Sequence, residues 1–277
     1  NSTPLRSALD GVGTYYQDSQ PWQTSTADTT ELACRQAYTI LTTDGFWRSE
    51  SISVGNVDNT KATVTGPNGT SYTYTPAAPY SDSNGNTLAD VAMKYWITDL
   101  RPTSTNEVPF SNEDPAFWQH MVTFTLGMGF SPTNISGDST SDDDIFAWAN
   151  GGSAIPNFSW PTPSDNSINN IADLEHAAVN GHGGFASAKT PDEFNQALAK
   201  ALQRASVRVG TGASLAANST QLKTGAFAYQ ANYFTGTWAG DLKAIKVDPN
   251  NGTLAPTVTW SAADPKVMPT YDKRNIW

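Results

Sequence analysis

Helical and strand patterns alternate along the first 205 residues, and this order constrains the fold more than any single motif. Helical segments show apolar residues at spacings of three and four, and strand-like segments are short, continuous apolar runs. The helical segments lie at residues 5–16, 88–96 and 172–179, and the strand-like runs at 37–45, 118–129 and 184–188. Strands that alternate with helices form a parallel sheet packed between helices. We therefore predict an α/β fold for residues 1–205.

Three helix starts carry local signals. Residues 190–193 (Thr-Pro-Asp-Glu) form a capping box with proline at the first helical position. Ser2 or Thr3 is expected to cap the first helix, with Pro4 in its first turn. The acidic residues 142–144 precede a short helical segment, and negative charge stabilises a helix N-terminus. These signals predict where the helices begin.

Three regions depart from the α/β pattern. Residues 51–76 alternate β-branched and polar residues around 66–69 (Gly-Pro-Asn-Gly), which predicts an inserted β-hairpin. Residues 131–170 are rich in Ser, Asp, Asn, Gly and Pro, which is typical of a long surface loop. From about residue 206 alternating runs replace the helical period and predict antiparallel β structure. We place a domain boundary there, between residues 1–205 and 206–277.

The charge balance excludes several classes of partner and function. The net charge is −10, and nucleic-acid binding requires clustered Lys and Arg. No apolar run approaches the roughly 20 residues of a membrane span.

The motifs Gly-x-Ser-x-Gly and Gly-x-x-x-x-Gly-Lys are both absent, so we predict no catalytic residues. The low charged fraction, 15%, is typical of exported surface proteins. Since Asn1 opens directly into helix-like sequence, we expect a piece of a longer protein.

Two polar segments invite a metal-binding interpretation that the spacing does not favour. Residues 82–90 place oxygen atoms at alternating positions, but Met93 stands where a calcium loop has its Glu. A loop in which Asn86 or Thr87 caps the next helix fits better. His176 and His182 are too loosely spaced for a zinc site.

Two motifs resemble loops of von Willebrand A domains. Residues 1–5 (Asn-Ser-Thr-Pro-Leu) match the second metal-site loop of that family, and residues 42–45 (Thr-Thr-Asp-Gly) match the third. The resemblance implies a von Willebrand A-like (Rossmann-like) domain that lacks its first strand and first loop. It also implies that Thr3 and Asp44 bind Mg²⁺ or Ca²⁺ in the intact protein, with no metal expected in this fragment alone. Thr3 as a helix cap and Asp44 as a turn residue remain open alternatives.

Further motifs resemble the tip-associated adhesins and biogenesis factors of type IV pili (PilY/PilC type). They occur in the same order along the chain, at residues 34–36, 40–47, 86–93, 99–102, 118–121, 176–181 and 238–244. The resemblance implies that residues 206–277 begin a β-propeller. It implies a non-catalytic protein at the cell surface, pilus tip or outer membrane, which contacts minor pilins and attaches to host or abiotic surfaces.

Two alternative interpretations of the chain stay open, and so does the role of its cysteine. The chain could be a von Willebrand A-like binding module of another exported protein. Residues 238–242 (Trp-Ala-Gly-Asp-Leu) also resemble blades of quinoprotein enzymes, although no catalytic base or calcium site accompanies them. Cys34, the single cysteine, is either a small buried residue or the partner of a cysteine outside the fragment.

Overall fold

The computed structural model describes residues 3–48, 50–137, 141–208, 214–217, 227–234, 239–248 and 254–264. The chain divides into two compact units, residues 1–207 and 208–277. The first contains α1 (Leu5–Tyr15), β1 (Ala37–Thr43), β2 (Ala62–Thr65), β3 (Ser71–Tyr74), α2 (Leu88–Ile97), β4 (Met121–Met128), α3 (Asp142–Ala149), α4 (Asn169–Asn180), β5 (His182–Ala188) and α5 (Pro191–Arg208). The second contains β6 (Ser214–Ala217), β7 (Phe227–Phe234), β8 (Ala239–Val247) and β9 (Leu254–Ser261).

A parallel sheet of order β1-β4-β5 lies at the centre of the first unit. β1 and β4 pair in continuous register from Ala37 and Met121 onward. β4 is buried over seven of its eight residues, as expected of a central strand covered on both faces. The α/β prediction is therefore confirmed for this unit.

The core joins both early helices to the sheet. Leu9 of α1, Tyr95 of α2, Met121 of β4 and Leu174 of α4 are buried in one cluster. Trp22 fills space beneath the loop that follows α1, and its indole N–H donates to the Tyr16 carbonyl at 2.8 Å. Burial of these large apolar side chains supplies the main driving force for folding of the unit.

The inserted hairpin predicted around residues 66–69 is confirmed. β2 and β3 pair antiparallel, with Ala62 opposite Tyr74. Val64 and Tyr74 pack against a cluster that includes Trp96 and Trp118. The insertion therefore contributes to the core rather than projecting into solvent.

The predicted cap of α1 is wrong. The N-cap is Pro4 and no side chain of its own segment caps the helix, while Ser2 lies outside the described residues. Glu50 supplies the cap instead, since its carboxylate oxygens accept from the backbone N–H groups of Arg6 (3.1 Å) and Ser7 (2.9 Å). A carboxylate at a helix N-terminus satisfies otherwise unpaired donors and interacts favourably with the helix dipole.

The caps predicted for α2 and α5 and the acidic start predicted for α3 are confirmed. Thr87 and Asp90 form a reciprocal capping box on α2. Ser141 caps α3, with the three predicted aspartates in its first turn. Thr190 accepts from the N–H of Glu193 at 3.2 Å at the start of α5. In the region predicted as a long loop, α3 is therefore a regular element.

The second unit is a four-stranded antiparallel sheet of order β6-β7-β8-β9. β7 and β8 pair over eight residues, from Phe227 opposite Lys246 to Phe234 opposite Ala239. Antiparallel structure was predicted here, although β6 carries too short a pattern to have been recognised. The predicted turn at residues 249–252 lies outside the described residues.

In the described part of the chain, no helix is both long enough and apolar enough to cross a bilayer.

Candidate functional site

A polar pocket of about 170 Å³ lies where three connections of the first unit meet. These connections follow β1, precede α2 and precede α4, so they share the carboxyl edge of the parallel sheet. Ligands of open α/β sheets bind at this edge. The pocket is lined by Arg6, Trp47, Arg48, Asn84, Gly85, Asn86, Thr87, Thr162, Pro163, Ser164, Asn170 and Asp173.

Arg6, on α1, connects two walls of the pocket, the connection after β1 and the connection before α2. Its Nη1 donates to the Asn86 carbonyl at 2.8 Å, and its Nη2 donates to the Arg48 carbonyl at 3.4 Å. Its Nε is buried and has no hydrogen-bond partner among the described residues. The guanidinium is thus held in place by backbone carbonyls.

Asp173 projects from α4 to the start of α2. Its carboxylate oxygens accept from the backbone N–H groups of Leu88 at 3.0 Å and Ala89 at 3.1 Å. Burial raises the pKa of this carboxyl to about 7, although the two hydrogen bonds oppose the rise. Asp173 fixes α2 against α4 at the floor of the pocket. Its signal in the sequence is an acidic residue within a helical segment, a signal that it shares with Glu175.

Side chains that form hydrogen bonds with the backbone fix the turn before α2. Thr87 Oγ1 accepts from the N–H of Asp90 at 3.0 Å, and Asp90 Oδ2 accepts from the N–H of Thr87 at 2.9 Å. Asn86 has a left-handed backbone (φ 60°), and its Oδ1 accepts from Val54 and Gly55, both at 2.9 Å. This wall of the pocket is therefore held by several hydrogen bonds between side chains and backbone.

Replacing Thr87 by alanine is expected to destabilise the first unit by about 1 kcal/mol, since the N-terminus of α2 loses a side-chain acceptor. Urea unfolding monitored by tryptophan fluorescence measures the change. The Thr87→Ser variant keeps the acceptor and serves as the control. Equal loss in both variants would show that the methyl group, not the cap, is what stabilises the turn.

A histidine and an aspartate lie close together in the buried part of the first unit. His176 Nε2 donates to the Tyr80 carbonyl at 2.6 Å and lies 3.6 Å from Asp58 Oδ2. The imidazole also stacks on Trp160 with ring centroids 4.4 Å apart. Burial lowers the pKa of His176 to about 4, and burial together with Asp90 and Asp82 raises the pKa of Asp58 to about 8. Both groups are therefore largely uncharged near pH 7, which lets this polar pair sit in the core.

The structure places the two predicted metal ligands on neighbouring loops. Thr3 is exposed just before α1, and Asp44 is exposed directly after β1. Glu50, later in the Asp44 loop, caps α1 and so joins the two loops. The turn after β1 is held by Thr43, whose Oγ1 donates to the Gly45 carbonyl at 3.0 Å. Among the described residues no group of three or more His, Cys, Asp or Glu side chains is arranged to hold a metal. Metal binding by Thr3 and Asp44 stays a prediction.

The structure also describes two other predicted sites, the calcium-like segment at residues 82–90 and Cys34. In the calcium-like segment, Asp82 accepts from the backbone N–H of Asn84 at 2.6 Å and from its Nδ2 at 2.8 Å, so this carboxylate folds the loop on itself. The capping role expected of Asn86 or Thr87 belongs to Thr87. Cys34 is exposed and forms no disulfide within the described residues, and its pairing outside the chain stays a prediction.

The first unit is an α/β domain with a polar pocket at the carboxyl edge of a parallel sheet. An antiparallel β unit follows it in the chain. No protein-family model matches the chain, and no solved structure matches it.

The chain is similar to a narrower group of curated proteins. It is 35% identical over 288 residues to the type IV pilus biogenesis factor PilY1 of Pseudomonas aeruginosa (strain PAK), and 36% identical over 291 residues to that of strain UCBPP-PA14. Each match covers 94% of this chain and 24% of the relative. A PilY1 homologue of Xylella fastidiosa (strain Temecula1) is 45% identical over 67 residues, which is 24% of this chain and 5% of that protein. The predicted resemblance is confirmed: the chain is a homologue of PilY1-type factors and spans about a quarter of their length.

Proposed function

We propose that this chain is part of a non-catalytic surface protein that supports type IV pilus assembly and extension and is located at the pilus tip. The observation that carries the proposal is the similarity along 94% of the chain to proteins named as pilus biogenesis factors. Minor pilins are its proposed partners in the pilus. Host or abiotic surfaces are the proposed targets of attachment.

In this proposal residues 1–205 are a von Willebrand A-like domain that carries adhesion. The parallel strand order β1-β4-β5 and the pocket at the carboxyl edge support this assignment. Thr3 and Asp44 would contribute a hydroxyl and a carboxylate to Mg²⁺ or Ca²⁺ in the intact protein. Hard oxygen donors suit both ions, and the remaining ligands would come from outside these two loops.

Residues 206–277 are proposed to begin a β-propeller. A propeller blade is a four-stranded antiparallel sheet, and β6 to β9 form such a sheet in sequential order. Three apolar side chains of this sheet, Leu242, Val258 and Trp260, are exposed. An adjoining blade would bury apolar groups of this kind, since one blade cannot cover its own faces.

Immunogold electron microscopy of the full-length protein on intact cells tests the location. Gold particles at the free ends of pili are the expected result. Label confined to the cell body, with bare pilus ends, would contradict the tip assignment. A strain that lacks the gene serves as the control for antibody specificity.

A further inference from the structure

A second cavity, of about 180 Å³, lies between the loop before α2 and the segment before α4. Residues 78 and 81–84 form one side of this side cavity, and residues 158–160 and 162 form the other. Among the described residues that line it, none belongs to α1 or to the loop that directly follows β1. The side cavity is therefore built without Thr3 and Asp44, the two predicted metal ligands.

Aromatic side chains form the apolar wall of the side cavity. The half-buried ring of Phe158 meets Trp148 and Trp160 edge to face, with ring centroids 5.3 and 5.1 Å apart. The indole N–H of Trp160 donates to the Pro79 carbonyl at 2.7 Å, and its ring stacks on the buried His176 at 4.4 Å. The aromatic wall is therefore anchored in the core of the first unit.

Short polar side chains supply the rest of the lining. They are Ser81, Asp82, Ser83, Asn84, Ser159 and Thr162. Within the described part of the chain, none of the four hydroxyl groups in this set forms a hydrogen bond. They differ in this respect from the Thr87 hydroxyl, which caps α2. These hydroxyl groups are free to bond a ligand.

Asp82 is the one charged residue among those described in the lining. Its side chain is 10% exposed, and Oδ2 lies 3.8 Å from the Nδ1 of His176. The carboxylate accepts from the backbone N–H and the Nδ2 of Asn84, at 2.6 and 2.8 Å. A carboxylate can accept about four hydrogen bonds, so this one keeps capacity for two ligand donors. Without a Lys, Arg or His among the described lining residues, the side cavity does not suit an anion.

We propose that the side cavity binds one pyranose ring of a neutral glycan. Asp82 accepts hydrogen bonds from the sugar hydroxyl groups, and such charge-assisted bonds are the strong ones. Phe158 and Trp160 contact the C–H groups of the ring, because aromatic side chains offer a large, rigid apolar surface. A volume of 180 Å³ equals that of about six water molecules, which suits a single ring. The inference rests on the proposed function, because it names the chemical class of the surface to which the protein attaches.

Titration of the ¹⁵N-labelled 277-residue chain with four methyl glycosides tests the proposal, those of glucose, galactose, mannose and N-acetylglucosamine. Trp160 lines the side cavity, so its indole N–H is the reporter, assigned with the Trp160→Phe variant. We expect a saturable shift at millimolar concentration with at least one glycoside. We expect none with choline, a cation that would be attracted to the carboxylate but has no sugar ring.

Two variants test the two sides of the cavity with the glycoside that binds. Asp82→Asn is expected to weaken binding by about ten-fold, because a neutral acceptor forms weaker hydrogen bonds than a carboxylate. Phe158→Ala is expected to weaken it by about five-fold through lost apolar contact. The matched controls are Asp18→Asn and Phe110→Ala, which change an exposed aspartate and an exposed aromatic residue outside the lining. Both controls are expected to keep the affinity of the parent.

If Asp82→Asn and Phe158→Ala both prove unfolded by circular dichroism, Thr162→Val decides. It removes one exposed hydroxyl of the lining and is expected to weaken binding by about three-fold. The absence of a saturable shift with all four glycosides would overturn the proposal. Equal weakening by the controls, or saturable binding of choline alone, would overturn it too. Since the assay needs no pili, its failure is distinguishable from failure of the proposed pilus function.

Discussion

Asp173→Ala is expected to lower the free energy of unfolding of the first unit by about 3 kcal/mol. The substitution leaves the backbone N–H groups of Leu88 and Ala89 without their acceptor in a buried place. Each unsatisfied buried donor costs about 1–3 kcal/mol. It also removes the bond that fixes α4 to the start of α2, so the pocket floor loses its rigidity.

Urea unfolding monitored by tryptophan fluorescence measures this loss. Six of the nine tryptophans lie in the first unit, so the signal reports mainly on that unit, and they are Trp22, Trp47, Trp96, Trp118, Trp148 and Trp160. Asp18→Ala, at an exposed aspartate after α1, is the matched control and is expected to change stability by less than about 0.5 kcal/mol. A change in Asp173→Ala as small as that of the control would show that the contact does not stabilise the fold.

Stability of the first unit is expected to fall as the pH rises from about 6.5 to 9. Burial raises the pKa of Asp58 to about 8 and that of Glu175 to about 9. In this window the folded state holds protons that the unfolded state has already lost, so rising pH favours unfolding. Below about pH 6.5 His176, whose pKa burial lowers to about 4, acts in the opposite direction and offsets part of the slope.

The Glu175→Gln variant isolates the contribution of Glu175 to the pH dependence of stability. Both carboxyl oxygens of Glu175 are buried without hydrogen-bond partners among the described residues, so the charged form is penalised strongly. The stability of the variant relative to the parent is expected to rise between pH 5 and pH 9, by up to about 5 kcal/mol for a carboxyl whose pKa burial raises to about 9. Glu107→Gln, at an exposed position, is the control. A parent whose stability is flat or rising over this range, or a variant without benefit at pH 9, would contradict the account.

Local signals in the sequence predicted most of the elements. The capping residues Thr87 and Thr190 act on N–H groups three residues away, so the same short patterns specify the helix starts in the structure. The hairpin of β2 and β3 was likewise predicted from a local turn and alternation. Such features depend on neighbours in the chain, which is why they are readable from sequence.

Long-range contacts limited the prediction of the site. The cap expected from Thr3 is supplied by Glu50, 44 residues after Arg6 in the chain, and no local pattern marks that pairing. Asp173 reaches Leu88 across 85 residues. His176 was weighed only as a zinc ligand, but the fold buries it against Trp160. Each of these outcomes depends on how helices pack, which periodicity alone does not specify.

Piliation of a gene-deletion strain tests the central claim most directly. The measurement is the number of surface pili per cell by electron microscopy, together with twitching zones, in the parent, the deletion strain and the strain complemented with the full-length gene. The account predicts loss of surface pili and twitching on deletion, restored by the full-length gene but not by a gene that lacks the segment encoding these 277 residues. Normal pili and motility in the deletion strain would contradict a role in pilus biogenesis.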